Sequence, residues 1–383
     1  MNVETIIPYD SDRPTRAEVL LGPLRRNLAR AKALAGSAKL MAVVKADAYG
    51  HGLLKTAREF CAAGADYLGV ALVEEGVYLR ENGIRAPILV LGPLSTSQVD
   101  RFVHYGLDVT IPSLEKARAV SEAATALGRK AIVHLKYDTG MGRIGVQWNR
   151  EPGAFFRTVQ ALPGMEIRGV FSHFSSADDD PAYTAEQERR FAQVLDAVRP
   201  YTERPFLAHI ANSAGLATSP DARLDMVRAG IMLYGYEPSP LARTGVEPAL
   251  RLVSKVAYFK TLEAGSRVSY GGRHRLSVRS RIATVPIGYA DGYPRALSSL
   301  GRAVIRGRSY PVAGTVCMDQ LMLDLGPDGE AYNGDDVLLF GPGLPGHPDA
   351  GIGLEELSAM AGTIPYELLC RISARVPRIY LED

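Results

Sequence analysis

Residues 20–234 alternate between short apolar runs and longer amphipathic stretches, and this alternation constrains the fold more than any other feature of the chain. The apolar runs predict eight strands: Leu40–Val44, Tyr67–Ala71, Ile88–Leu91, Leu107–Ile111, Ala131–Leu135, Ile167–Phe171, Phe206–Ile210 and Met226–Leu233. The stretches between them have helical periodicity, as in Leu53–Ala63, Leu114–Leu127 and Tyr183–Val198. Eight strands alternating with helices over about 200–250 residues predict a TIM-like (β/α)8 barrel, with a doubly wound open sheet as the alternative. In both folds, ligands bind beyond the carboxyl ends of the strands.

The pattern changes after Pro238-Ser239-Pro240, where short apolar or alternating runs separated by turn residues predict a mainly β domain. Its predicted elements are the strands Leu252–Tyr258, Ile282–Ile287, Ala303–Arg306 and Val337–Phe340 and the helix Leu354–Ala361. We therefore predict a barrel domain over residues 1–240 and a β domain over 241–383, with the boundary near 236–246. The sequence leaves open whether the strand-like segment Thr15–Leu21 pairs with the second domain.

Composition excludes several classes of protein. Hydrophobic residues make up 46% of the chain and charged residues 22%, with a net charge of +2, so nothing indicates a nucleic-acid or membrane-surface partner. No apolar run is long enough for a transmembrane helix, and the first residues lack the features of a signal peptide. The 3 widely spaced cysteines are typical of a reducing compartment, and we expect a cytoplasmic protein. The sequence contains no C-x-x-C, H-E-x-x-H, Walker or nicotinamide-binding glycine motif, so we predict no metal site.

One lysine stands at the end of the first predicted barrel strand. The run Leu40–Val44 ends at Lys45, and Tyr49, Gly50 and Gly52 then favour a tight loop. A lysine amine in a desolvated pocket loses its proton more easily and can condense with a carbonyl group. The alternative is a lysine whose stem lies on apolar surface while its charge reaches water.

The fifth predicted strand leads into a glycine-rich segment with several charged residues. The sequence from His134 to Gly145 includes Lys136, Asp138 and Arg143. Its glycines let the backbone approach a ligand closely, and an arginine can donate two hydrogen bonds to a carboxylate or phenolate. A glycine-rich loop with a solvated arginine is the alternative.

Polar side chains also stand near the ends of the next three predicted strands: His173 after the sixth, His209, Asn212 and Ser213 at the seventh, and Arg228 at the eighth. Arg228 is followed by Gly230 and Ile231, whose backbone amides can donate to a ligand. A barrel often binds phosphate at the loops after strands seven and eight. A strand-end lysine, a phosphate cup and a buried polar group together suggest pyridoxal 5′-phosphate attached to Lys45.

The second domain adds four polar or aromatic clusters, which contain Tyr270, Tyr289 and Asp291, Met318 and Asp319, and Tyr366. Tyrosines beside glycines are usually packing or turn residues. Four such clusters in one small domain nevertheless indicate that these residues line a binding or active site.

These motifs resemble those of alanine racemase, a fold type III pyridoxal phosphate enzyme, over nearly the whole chain. The specific motifs are AVVKADAYGHG and HLKYDTGMGRIG, and those in support are SHF, HIANS, VRAGIMLYG, VSYGG, PIGYADGYPR, CMDQ and PYELLCRISARVPR. The resemblance implies that Lys45 holds pyridoxal phosphate and acts as the base on the D side of the substrate. It implies that Tyr270 is the base on the L side and acts across the interface of a homodimer.

The resemblance also implies roles for the other candidates. Arg228 would donate a hydrogen bond to the pyridine nitrogen, and His173 would link Arg228 to Tyr270. The implied phosphate contacts are Tyr49, Ser213, Gly230, Ile231 and Tyr366. Arg143 and Met318 would bind the substrate carboxylate, and Lys136, carbamylated in some relatives, would orient Arg143. His209, Asn212 and Asp319 would support the site.

The expected function is interconversion of L- and D-alanine for peptidoglycan. Alternatives are a serine or broad-specificity racemase, a fold type III decarboxylase, and a non-enzymatic pyridoxal phosphate carrier. A decarboxylase does not require Tyr270 as a second base, and carriers lack the β domain.

Overall fold

The computed structural model describes residues 12–202 and 204–382. These residues form two compact units. One contains residues 23–48 and 53–247, and the other contains 12–22, 49–52 and 248–382.

The first unit is a parallel barrel. Its eight strands are Lys39–Val43, Tyr67–Val70, Ile88–Val90, Asp108–Ile111, Ala131–Asp138, Met165–Phe171, Leu207–His209 and Met226–Ala229. Parallel pairing runs from the eighth strand through the first to the seventh. The seventh and eighth are joined where Asp225 N donates to Ala208 O at 3.1 Å and Arg228 N donates to Ala211 O at 3.0 Å. The predicted barrel is therefore confirmed, and an open sheet is excluded.

Helices alternate with the strands because one face of each is apolar. The α-helices of this part of the chain are Leu21–Ala35, Leu53–Ala62, Val73–Glu81, Val99–Tyr105, Leu114–Ala126, Pro152–Gln160, Pro181–Val198 and Ser213–Thr218. In the longest, Phe191, Val194 and Leu195 are buried. Within the described residues, no helix is both long and apolar enough to cross a membrane.

Two barrel strands differ from their predicted bounds by three or more residues. The fifth continues to Asp138, so Lys136 lies within the strand and not in the loop after it. The eighth ends at Ala229, and the buried apolar segment Ile231–Tyr234 is a 3₁₀-helix. An apolar run shows burial, but its composition alone does not separate a strand from a short buried helix.

The second unit contains a six-stranded sheet. Its strands, in spatial order, are Arg308–Pro311, Arg302–Ile305, Asp336–Phe340, Leu250–Lys255, Arg16–Leu20 and Arg378–Leu381. The strand Arg16–Leu20 pairs antiparallel with Leu250–Lys255 and parallel with Arg378–Leu381. The amino-terminal strand is thus part of the sheet formed by the end of the chain.

The smaller elements of this unit are the sheet Tyr258–Leu262, Ser280–Val285 and Leu321–Asp324, the hairpin Arg267–Val268 and His274–Arg275, and the helices Leu354–Ala361 and Pro365–Cys370. The predicted strand Leu252–Tyr258 was wrong, because the chain leaves one sheet after Lys255 and enters another at Tyr258. The expectation of one clear helix was also wrong, since a second begins at Pro365, where proline suits the first helical turn.

Candidate active site

Lys45 begins a left-handed turn directly after the first barrel strand. Ala46, Asp47 and Ala48 have φ values of 55°, 55° and 53°. Each left-handed residue other than glycine carries about 1–2 kcal/mol of strain. Asp47 Oδ1 accepts a hydrogen bond from Leu53 N at 2.8 Å, which helps to hold the turn. Strain of this kind is concentrated at functional sites, and here it follows Lys45, two residues after the last residue of the strand.

Arg228 lies in the barrel interior on the eighth strand and is 3% exposed. Its Nη1 donates to His209 Nδ1 at 2.9 Å, and its Nη2 contacts His173 Nδ1 at 3.1 Å. Nη2 also donates to the carbonyls of Ser172 and Ile210, both at 2.9 Å. Burial lowers the pKa of Arg228 from 12.5 to about 9, with a further contribution from Arg143. The guanidinium remains charged at neutral pH and is oriented by its acceptors.

Several cations surround His173. Its pKa is held well below 6.5 by burial, and then by the charges of Arg228, Lys136, Arg143 and Lys45. The histidine is therefore neutral, and the cations share the region beyond the carboxyl ends of the strands. Mutually repelling cations in one place favour the binding of an anionic ligand.

Lys136 is 3% exposed and donates from Nζ to its neighbour Tyr137 O at 2.8 Å. Burial lowers its pKa from 10.5 to about 7, and the charges of Arg228 and Arg143 act in the same direction. About half of this amine is neutral at pH 7, and a neutral amine is a nucleophile.

The loop that carries Arg143 is held at its base. Asp138 Oδ1 accepts from Gly140 N at 2.9 Å and from Gly142 N at 3.1 Å. From the helix Pro181–Val198, Arg190 Nη1 donates to Thr139 O at 2.9 Å. The Arg190 guanidinium also lies 5.5 Å from the centre of the Trp148 ring. The helix thus fixes both ends of the loop.

Two helical segments meet after the seventh and eighth strands. Asn212 Oδ1 accepts from Gly215 N at 2.9 Å and caps the helix that begins at Ser213. Ser213 Oγ accepts from Gly230 N at 2.7 Å, and Gly230 precedes the 3₁₀-helix that begins at Ile231. The first amides of a helix have no acceptor within it, so this junction suits a phosphate group.

In the second unit, Tyr49 lies beside Tyr366, with ring centres 6.2 Å apart. Burial, with Tyr366 and Cys370 nearby, raises the pKa of Tyr49, so its phenol keeps its proton. Gly50, which follows, has φ +80°, and a Cβ there would lie 2.3 Å from Leu369 O. This position requires glycine, and the close contact keeps Tyr49 beside the helix Pro365–Cys370.

Tyr270 and Met318 are unusually exposed for their size, at 73% and 52%. The turn before Tyr270 is held by Ser269 Oγ, which donates to Thr315 O at 2.6 Å. After Met318, Asp319 Oδ1 accepts from Arg375 Nη2 at 2.7 Å. A fixed backbone with an exposed tyrosine presents a phenol to whatever approaches this surface.

The residues present fit pyridoxal phosphate. The barrel contains a lysine at a strand end, a buried guanidinium and the junction of two helix starts at Ser213 and Gly230, while the cationic side chains that act on His173 suit a phosphate and a carboxylate. The structure thus brings together the candidates of each unit, Lys45, Lys136, Arg143, His173, His209, Asn212, Ser213, Arg228, Gly230 and Ile231 in one and Tyr49 with Tyr366 in the other.

Sequence reasoning missed Asp108, which is 2% exposed at the start of the fourth strand and contacts His134. A charged residue inside an apolar run was the available signal, because a buried carboxylate needs a partner. It also missed Arg190, whose contact with the Arg143 loop depends on tertiary structure.

Comparison with known proteins identifies the family. Residues 19–238 match the model of the alanine racemase N-terminal domain, and residues 249–380 match that of the C-terminal domain. The chain is 45% identical to alanine racemase from Symbiobacterium thermophilum, over 97% of this chain and 98% of that one.

Solved structures agree with these matches. Alanine racemase from Clostridium difficile 630 superposes with a TM-score of 0.92 at 39% identity, covering 98% of this chain and 97% of that one. Its complex with cycloserine gives a TM-score of 0.90 at 37% identity over the same shares. The chain described here therefore belongs to the alanine racemase family.

Proposed function

We propose that this protein interconverts L- and D-alanine with pyridoxal phosphate bound at the carboxyl end of the barrel. The observation that carries the proposal is the buried Arg228 guanidinium in contact with His173 at 3.1 Å, and the charges of Lys136, Arg143 and Lys45 act on the same histidine. The D-alanine formed would serve peptidoglycan synthesis in a bacterial cytoplasm.

Each candidate has a distinct role in holding the cofactor. Lys45 would bind it covalently, and Arg228 would donate to its pyridine nitrogen. Since a guanidinium only donates, that nitrogen would stay unprotonated. The residues that hold the phosphate are Tyr49, Ser213, Gly230, Ile231 and Tyr366. Support comes from the junction of Ser213 and Gly230 and from the pairing of Tyr49 with Tyr366.

When bound, pyridoxal phosphate makes the α-proton of an attached amino acid acidic. Tyr270 Oη removes this proton from L-alanine, and Lys45 Nζ delivers a proton to the opposite face of the α-carbon. The reverse reaction uses the same two groups with their roles exchanged. Racemisation needs an acid/base group on each face. In each direction, the group that removes the α-proton starts deprotonated, and the group on the opposite face starts protonated.

Substrate binding depends on a second set of residues. Arg143 and the backbone N–H of Met318 bind the substrate carboxylate, and Tyr366 with Tyr270 limits the side chain to about the size of a methyl group. Lys136 becomes a carbamate when its neutral amine attacks CO2 and releases a proton, and the negative carbamate then orients Arg143. The lowered pKa of Lys136 supports this step.

We propose that the active site is shared within a homodimer, with Tyr270 and Met318 supplied by the partner subunit. The large exposed fractions of these two side chains in the single chain support this arrangement. A partner that covers them would remove apolar surface from water.

The experiment follows conversion of L-alanine to D-alanine by chiral chromatography, with purified protein and added pyridoxal phosphate. L-serine and L-lysine are tested beside it. We expect D-alanine to form with little turnover of the larger substrates, and no turnover by Lys45→Ala, which also loses the absorbance of the attached cofactor. Equal turnover of serine would indicate a broad-specificity racemase, and loss of CO2 would indicate a decarboxylase. Cofactor binding without either reaction would indicate a carrier.

A further inference from the structure

A line of hydrogen bonds runs through the barrel interior from Arg228 to Asp108. Arg228 Nη1 is 2.9 Å from His209 Nδ1, and His209 Nε2 is 3.0 Å from His134 Nδ1. His134 Nε2 is 3.3 Å from Asp108 Oδ2, which also accepts from the Tyr67 hydroxyl at 3.1 Å. We call Asp108, His134 and His209 the relay.

The direction of these hydrogen bonds follows from the two ends of the line. A guanidinium only donates, so His209 Nδ1 accepts and its proton lies on Nε2. His209 then donates to His134 Nδ1, which places the His134 proton on Nε2, facing Asp108. Both imidazoles are neutral in this pattern, and the pKa of His209 is held well below 6.5 by burial and then by Arg228.

Bulk solvent does not reach the relay. His134 and His209 are 0% exposed, and Asp108 is 2% exposed. Phe171 stacks on His209 with ring centres 4.8 Å apart. A Cβ at Gly169 would lie 2.0 Å from His134 Nδ1, so glycine is required there to leave room for the imidazole.

We propose that Asp108 is a positioning residue for the racemase, which fixes the tautomers of His134 and His209 so that His209 offers Arg228 an acceptor. Without the carboxylate, His134 can place its proton on Nδ1 and donate to His209 Nε2. His209 would then carry its proton on Nδ1, opposite an Arg228 N–H, and two donors would face each other. Asp108 thereby controls the placement of the guanidinium. The inference rests on the proposed function, in which Arg228 contacts the cofactor.

The test combines two substitutions at Asp108 with one control. Asp108→Asn keeps an oxygen that can accept from His134, whereas Asp108→Val removes every acceptor. Glu59→Gln is the control, because Glu59 is 9% exposed, holds Arg25 and Lys55, and lies outside the relay. For each protein, ¹⁵N NMR of labelled histidine side chains gives the tautomers, and titration with pyridoxal phosphate gives its dissociation constant and absorption spectrum.

We expect Nε2–H signals for His134 and His209 in the wild type, in Asp108→Asn and in Glu59→Gln. Asp108→Val should gain Nδ1–H signal at both histidines, bind pyridoxal phosphate roughly tenfold or more weakly, and shift the absorption of the bound cofactor. Unchanged signals and affinity in Asp108→Val would overturn the proposal, as would equal losses in Glu59→Gln.

If Asp108→Val does not fold, two other spectra still test the proposal. One is the spectrum of the wild type. The other is the spectrum of Tyr67→Phe, which removes one donor to Asp108. An Nδ1–H tautomer at either histidine of a wild type that racemises alanine overturns the relay alone. A wild type with the expected tautomers but no affinity for pyridoxal phosphate overturns the proposed function instead.

Discussion

Replacing Lys136 by methionine tests the electrostatics of the barrel. The Lys136 pKa of about 7, against 10.5 in the unfolded chain, disfavours the charged amine by about 5 kcal/mol when the shift is converted at about 1.4 kcal/mol per unit. The pKa of Lys136 is lower in the folded protein than in the unfolded chain, so the unfolded chain takes up a proton first as the pH falls. The folded state is therefore destabilised progressively between pH 10.5 and pH 7, and it has its full stability above pH 10.5. Lys136→Met lacks this dependence. From pH 9.5 to 7.5, the wild type should lose about 2–3 kcal/mol of stability relative to the variant.

The assay is urea unfolding followed by circular dichroism, at equal protein concentrations and in buffers free of CO2. Pyridoxal phosphate is removed from both proteins, since its negative charge would raise the Lys136 pKa. A stability difference that stays constant within about 1 kcal/mol across this pH range would refute the reasoning. Added bicarbonate should stabilise only the wild type, because a carbamate on Lys136 is attracted to Arg228 and Arg143.

Two further predictions concern the loop and the histidines. Arg190→Ala should reduce kcat/KM for alanine by about tenfold and change the emission of Trp148, because Arg190 holds the Arg143 loop. Arg189→Ala is the matched control, since Arg189 also pairs with Glu186 but its side chain is exposed to solvent; an equal loss in both variants would contradict the role of Arg190. His173 and His209 have lowered pKa values in the folded protein, so below pH 6.5 they take up protons more readily in the unfolded chain. The free energy of unfolding should therefore fall below pH 6.5, by up to about 3 kcal/mol per pH unit for the two histidines together. In urea unfolding, His209→Gln should remove about half of this slope, and an unchanged slope would contradict it.

Much of the barrel could be predicted from the sequence because its strands are buried on both faces. The runs at 67–71 and 88–91 are apolar throughout, and each lies within one residue of the observed strand. The run at 226–233 extended too far, because Ile231–Tyr234 is equally apolar and buried while following a different backbone path. An apolar composition indicates that a segment is buried, but the hydrogen bonds of its backbone determine whether the segment is a strand or a helix.

The site was predicted where chemistry is encoded in local motifs, as at Lys45 and Arg228. The left-handed conformation of Ala46, Asp47 and Ala48 had no signal, since these residues rarely adopt it. Asp108 was missed for another reason. Its role depends on His134 and His209, which barrel closure places beside one another from distant parts of the chain.

In the proposed mechanism, Lys45 and Tyr270 act on opposite faces of the substrate. The most direct test is α-proton exchange in D2O, followed by NMR for L-alanine and D-alanine with wild type and Tyr270→Phe. We predict that the variant keeps bound pyridoxal phosphate and exchanges the D-alanine proton without inversion, while exchange from L-alanine falls by roughly 10²–10⁴-fold. Equal exchange from both enantiomers, with inversion at the wild-type rate, would contradict the two-base account.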